Sequence, residues 1–118
     1  MEAEVTAALT QFERDHLGRG PREARTFILG DMVLVRLKGI LSPAEVLLSR
    51  EPGGVELIKQ VRSRLVEGSA VRLRELVEER TGASVVGMHT DISSRTGERV
   101  FVFVLDQDLE AALRGETP

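Results

Sequence analysis

Ser84-Val-Val-Gly-Met-His-Thr-Asp-Ile-Ser93, the polar turn Ser94-Arg-Thr-Gly-Glu98 and Arg99-Val-Phe-Val-Phe-Val-Leu105 form the stretch whose reading decides the fold. Every position from Val100 to Leu105 is apolar, so both faces of that strand need cover. Setting Ile92 opposite Glu98 pairs Asp91 with Arg99, Thr90 with Val100, His89 with Phe101 and Gly87 with Phe103. One face then carries Val86, Met88, Thr90, Val100, Val102 and Val104 and reads as core beneath helices. The other carries Val85, Gly87, His89, Asp91, Arg99, Phe101, Phe103 and Leu105, with Gly87 leaving room for the Phe103 ring. A one-residue slip would exchange the two faces.

Upstream, Arg25-Thr-Phe-Ile-Leu29 and Met32-Val-Leu-Val-Arg-Leu-Lys38 flank Gly30-Asp31, and a two-residue connection with Gly first predicts a type II′ hairpin. Pairing Leu29 with Met32 puts Ala24, Thr26, Ile28, Val33, Val35 and Leu37 on a core face. Arg25, Phe27, Leu29, Met32, Leu34, Arg36 and Lys38 share the other. Arg25 then faces Arg36, a like-charge pair that Asp91, a bound anion or solvent must relieve.

The remaining segments read as helices. Val5, Ala8, Leu9 and Phe12 recur at spacings of three and four up to about Leu17, where Gly18-Arg-Gly-Pro21 stops the helix. Ser42-Pro-Ala-Glu45 is a capping box that opens a short helix through Leu48. After Pro52-Gly-Gly54, Ile58, Val61, Leu65, Ser69, Leu73 and Leu76 hold a near-helical period to the cap at Gly82. Unbroken, that helix would overhang a small sheet and pack its end on another subunit; a kink near Gly68-Ser69 is the alternative. Asp106-Gln-Asp108 can cap a last short helix carrying Leu109 and Leu113.

The expected fold is therefore α+β: a four-stranded antiparallel sheet of two β-hairpins packed on one face by helices, in the order α-ββ-α-α-ββ-(α). With 118 residues there is room for one domain over 1–118. Sixteen basic against nineteen acidic residues give a net charge of −3, and Tyr and Trp are absent; both argue against nucleic acid as a partner. No cysteine occurs, which removes disulfides and thiol chemistry and suits a reducing cytoplasm. The acidic start Met1-Glu-Ala-Glu4 and the lack of a long apolar run predict neither export nor membrane insertion.

Combining the hairpins gathers Arg25, Arg36, Lys38, His89, Asp91, Arg99, Phe101 and Phe103 as a candidate interface or anion patch on the helix-free face. His89, Asp91, Ser93 and Ser94 look like triad members but lack a nucleophile elbow, and His89, Asp91 and Glu98 lack a metal-site pattern. No catalytic, cofactor or metal residue is assigned. The Gly18–Pro21 loop with Arg22 and Arg25 could hold a phosphate, although no Gly-Lys-Ser/Thr follows it. His16 reads as an ordinary histidine at a helix C-terminus.

Taken together, Gly18-Arg-Gly-Pro21, Gly30-Asp-Met-Val-Leu-Val-Arg-Leu-Lys-Gly-Ile-Leu-Ser-Pro-Ala-Glu45, Leu57-Ile-Lys-Gln-Val-Arg62, Thr81-Gly82 and His89-Thr-Asp-Ile-Ser…Thr96-Gly-Glu98 give the chain a family likeness. Over about residues 18–105 it resembles the MpsC-like bacterial proteins, formerly a domain of unknown function and named after a component of a sodium-translocating, membrane-potential-generating system. The resemblance implies a soluble accessory to an ion or inorganic-carbon uptake complex whose other subunits span the membrane, and it transfers no site residues. The expected function is a non-enzymatic, homo-oligomeric interaction protein (homodimer or higher) in the cytoplasm, associated with membrane transport complex subunits. The alternative is a small-anion or nucleotide-binding regulatory domain built on Arg25, Arg36 and the Gly18–Pro21 loop.

Overall fold

A computed structural model describes residues 1–115. Five helices and four strands follow in the order α1 (Glu2–His16), β1 (Glu23–Leu29), β2 (Met32–Lys38), α2 (Pro43–Leu48), α3 (Gly54–Gly68), α4 (Ala70–Thr81), β3 (Val85–Ser93), β4 (Glu98–Leu105) and α5 (Leu109–Leu113). The strands form one antiparallel sheet ordered β1-β2-β4-β3. Each hairpin stays intact and the two join through β2 and β4, so the apolar β4 is interior to the sheet.

Local chemistry explains the element boundaries. Gly30 takes φ +60 while Asp31 after it does not have a positive φ, the pattern of a type II′ turn. It fixes Leu29 against Met32 and Arg25 against Arg36, as the turn residues predict. The capping box forms at α2: the Glu45 N–H donates to Ser42 Oγ at 3.2 Å and the Ser42 N–H to Glu45 Oε1 at 2.9 Å. Asp108 caps α5 by accepting from the Ala111 N–H at 2.9 Å. Gly82 ends α4 at φ +73.

The second hairpin departs from expectation by one residue. Ser93, not Ile92, faces Glu98, so the loop is four residues long and closes with the Gly97 N–H on Ser93 O at 2.8 Å. Every pair shifts with it: Ile92 faces Arg99, Asp91 Val100, Thr90 Phe101, His89 Val102 and Met88 Phe103. Phe101, Phe103 and Leu105 consequently turn into the helix-covered core, and Val100, Val102 and Val104 turn out. The faces of β4 are thus exchanged relative to the sequence reading, while on β3 Met88 and Thr90 stay on the core side and His89 and Asp91 on the other. The physical reason is size: each fully buried apolar side chain contributes roughly 1.5–3 kcal/mol, and two phenylalanines remove more area from water than valines do. Their rings stack at 5.7 Å. Gly87 yields nothing to Phe103; it pairs with Val104 beside a β-bulge that leaves Val86 unpaired.

The long helix is broken. Ser69, at φ −108 and ψ 9, separates α3 from α4, so of the two options the sequence left open the break at Gly68-Ser69 is the one observed. Gly68 just before it supplies backbone freedom and little propensity for continuing. The buried stripe of α3 is Gly54, Ile58, Arg62 and Val66, whereas Val61 and Leu65 are exposed. Val5, Leu9, Leu73, Val77, Val33, Val35, Leu37, Phe101 and Phe103 share the core between helices and sheet.

Candidate functional site

Among the described residues no helix covers the second face of the sheet, and the register arranges its side chains in cross-strand rows. One row runs Glu23, Lys38, Glu98, Ser93. The next is Arg25, Arg36, Val100, Asp91, followed by Phe27, Leu34, Val102, His89, and then Leu29, Met32, Val104, Gly87. Valine, leucine and phenylalanine occupy the middle and charges the end near the β3–β4 turn. Leu29 and Met32 are 46% and 38% exposed, large values for apolar residues in a strand.

Of the eight residues proposed for the patch, five lie on this face: Arg25, Arg36, Lys38, His89 and Asp91. Arg99, Phe101 and Phe103 lie on the opposite face, buried. Arg99 therefore cannot pair with Asp91 across the strands, as the slipped register implied. Asp91 instead meets Lys59 of α3 at 3.1 Å and accepts the Ile92 N–H at 2.9 Å. Those contacts, Lys59 first, hold its carboxyl below the usual range.

The like-charge pair Arg25–Arg36 finds its relief in Glu98, not in Asp91. The Arg36 guanidinium donates to both Glu98 oxygens and holds that carboxyl low. Arg25 lies over the Phe27 ring at 4.8 Å, a cation–π contact. Neither arginine is left waiting for an anion, which weakens the ligand reading of this face. The triad reading also loses its geometry: Asp91 is engaged by Lys59 and its own backbone, and Ser94 is buried in the hairpin turn. Among the described residues, no three His, Cys, Asp or Glu side chains gather as metal ligands.

Beneath the helices sits a cluster that pattern reading overlooked. Arg62 is 3% exposed and grips Glu45 with Nε at 2.8 Å and Nη2 at 2.7 Å, while Nη2 also reaches Ile40 O at 3.1 Å. Glu13 of α1, 1% exposed, lies 3.6 Å from Arg62 Nη1. Arg99 Nη1 donates to Thr90 Oγ1 at 2.8 Å, and its charge acts on Glu13. Burial pushes the Glu13 carboxyl up, against the pull of Arg62 and Arg99; burial likewise depresses Arg99. Glu45, hydrogen-bonded by Arg62, is held low. Five buried polar atoms, Glu13 Oε1, Arg62 Nη1, Arg99 Nε, Arg99 Nη2 and the hairpin-turn Ser94 Oγ, lack a hydrogen-bond partner among the described residues. The sequence did carry a signal, because Glu13 and Arg62 stand four residues beyond Leu9 and Ile58 on otherwise apolar stripes. Arg62 thus ties α3 to α1 through Glu13 and to α2 through Glu45, with the charge of Arg99 on β4 close by.

Over residues 1–107 the chain matches the family described as "Na+-translocating membrane potential-generating system (MpsC)". The chain belongs to the MpsC family. Among curated proteins, this MpsC-family chain is 49% identical over 113 residues to the uncharacterized protein YbcI of Bacillus subtilis (strain 168), covering 96% of this chain and 91% of that one. It is 28% identical over 108 residues to YrhF of the same organism, also uncharacterized, covering 91% and 88%. No solved structure matches. Among the described residues, no helix is long and apolar enough to cross a membrane.

Proposed function

We propose that this protein is a non-enzymatic interaction module that pairs with a second copy through the open sheet face and serves as an accessory to a membrane ion or inorganic-carbon transport system. The observation that carries the pairing is the self-complementarity of the rows. A two-fold axis lying between two such faces, parallel to the strands, places β1 of one copy over β3 of the other and keeps each row in line. Arg25 then meets Asp91 of the second copy, Lys38 meets Glu98, and Leu34 meets Val102. Leu29 falls over Gly87, where the missing side chain leaves a hollow. Charges at the rim and aliphatic groups at the centre are the usual composition of such a contact. The association with a transport system rests on the family's description.

Light scattering tests the pairing: the expected mass is twice 13.0 kDa, and a monomer at micromolar concentration sinks it. Arg25→Asp and Asp91→Arg should each weaken the dimer, and the double variant Arg25→Asp/Asp91→Arg should restore it. Two single losses without restoration would place the contact elsewhere. For the transport role, affinity purification from native membranes should recover membrane-spanning subunits. Recovery of only soluble proteins counts against it.

A further inference from the structure

We infer that the concave pocket between the Gly18–Pro21 loop, α2 and the β3–β4 turn binds a phosphate group. Arg19, Arg22 and Arg95 converge on it from three places in the chain, Ser49 and Thr96 add hydroxyls, and no carboxylate lines it. In a chain with net charge −3, three exposed arginines gathered without an acid among them are a local excess of positive charge that attracts an anion. None of the three makes an ion pair among the described residues. The closest polar contact of their side chains within the protein is Arg19 Nη2 to Gly39 O at 3.4 Å, long for a hydrogen bond.

The pocket is built by backbone. At Gly39, φ is +66, and a Cβ there would sit 2.9 Å from Arg22 Cγ and Cδ; the absent side chain lets the Arg22 stem lie across the end of β2. Gly97, at φ +71, turns the Arg95–Thr96 corner toward the same space, and the Ile40 N–H to Gly97 O bond of 3.1 Å locks the two segments together. Leu41 and Val46 give it an apolar wall. The volume is about 180 Å³, roughly six times a water's share of the liquid, which admits a phosphate and a few ordered waters. Guanidinium forks recognise phosphate oxygens in pairs, and an apolar wall beside them raises the strength of those bonds. The inference stands apart from the open-face reading, which involves none of these residues. It also moves the anion site away from Arg25 and Arg36, whose charges have other partners.

The phosphate can belong to a small molecule or to a lipid headgroup, and titrations at fixed ionic strength separate the two. Inorganic phosphate and glycerol 3-phosphate probe the first source; vesicles of phosphatidylcholine with and without phosphatidic acid probe the second. In at least one arm, binding should saturate. Arg22→Ala and Arg95→Ala should each weaken that binding about tenfold or more, the loss of one charge-assisted contact. Arg74→Ala, an exposed arginine on α4, should leave it unchanged. Binding of the soluble phosphates alone assigns a small-molecule site. Binding of phosphatidic acid vesicles that Arg95→Ala releases assigns a headgroup site. The inference is overturned by flat titrations in every arm, or by losses as large in Arg74→Ala as in Arg95→Ala.

Discussion

The two faces of the sheet use arginine in opposite ways. On the helix-covered face, Arg99 is 1% exposed with two nitrogens unpartnered, and the neighbouring Arg62 is clamped by Glu45. On the open face, Arg36 is half exposed beside Glu98, and Arg25 lies over a phenylalanine ring with water around it. A charge under the helices has no second choice of partner once Glu45 or Glu13 is removed, whereas a charge on the open face can exchange its partner for water or for another protein. Structural charges and recruitable charges are therefore separated by the thickness of one sheet.

The separation breaks most visibly at Arg62. Arg62→Ala strands Glu13 and Glu45 without their common cation, one of them fully buried, and should cost about 3–5 kcal/mol in chemical denaturation. A loss under about 1 kcal/mol would mean that water already solvates the cluster.

Glu45→Gln comes next, at about 2–3 kcal/mol at pH 7, because the carboxylate is partly exposed and the amide keeps part of its hydrogen bonding. Its pH signature is more telling than its size. The folded Glu45 carboxyl titrates below its ordinary 4.5, so its stabilisation is complete above that value and is lost as pH falls through the lowered folded pKa. Glu13 titrates above 4.5, so its share runs the other way: stability is greatest below 4.5 and declines as pH rises through the raised folded pKa. Denaturation series between pH 3 and 7 should show the acid-side fall of the parent flattened in Glu45→Gln. An unchanged slope would remove Glu45 from the account.

On the other face, where Val102 is half-buried, Val102→Lys should cost folding only about 1 kcal/mol, the span of strand propensities. It should nevertheless abolish the dimer, because it sets a cation at the centre of both copies' apolar rows. Loss of fold together with assembly would show that this face is not spare.

The asymmetry between the faces also explains what could be seen in advance. Arg25 opposite Arg36 was legible because Gly30-Asp31 permits essentially one hairpin geometry. The caps at Ser42 and Gly82 were legible because their side-chain requirements are local. The second hairpin was not, since Ser94-Arg-Thr-Gly97 accommodates loops of four or five residues and β4 is apolar on both sides, so alternation cannot choose. Burial of Phe101 and Phe103 chose, and that is a property of the assembled core. The same holds for the pocket inferred to bind phosphate: Arg19 and Arg22 stand beside the glycines of one loop in the sequence, but Arg95 joins them only when the fold brings residues more than 70 positions apart together.

Asp91→Asn sharpens the comparison from its weakest point. Asp91 meets Lys59 with both side chains largely exposed, so the pair is screened, and its removal should change folding stability by less than about 0.5 kcal/mol. Its lowered carboxyl pKa gives the same sign as Glu45, stabilisation lost on acidification, but in a solvated site the amplitude shrinks toward zero. Assembly should respond differently, because Asp91 lies in the row with Arg25 and is the only acid there. The proposed dimer, followed by analytical ultracentrifugation, should therefore dissociate more readily in Asp91→Asn while the denaturation midpoint of the monomer stays put. A matching loss in both would make Asp91 one more structural charge, and the division between the two faces would fail at the residue that best represents it.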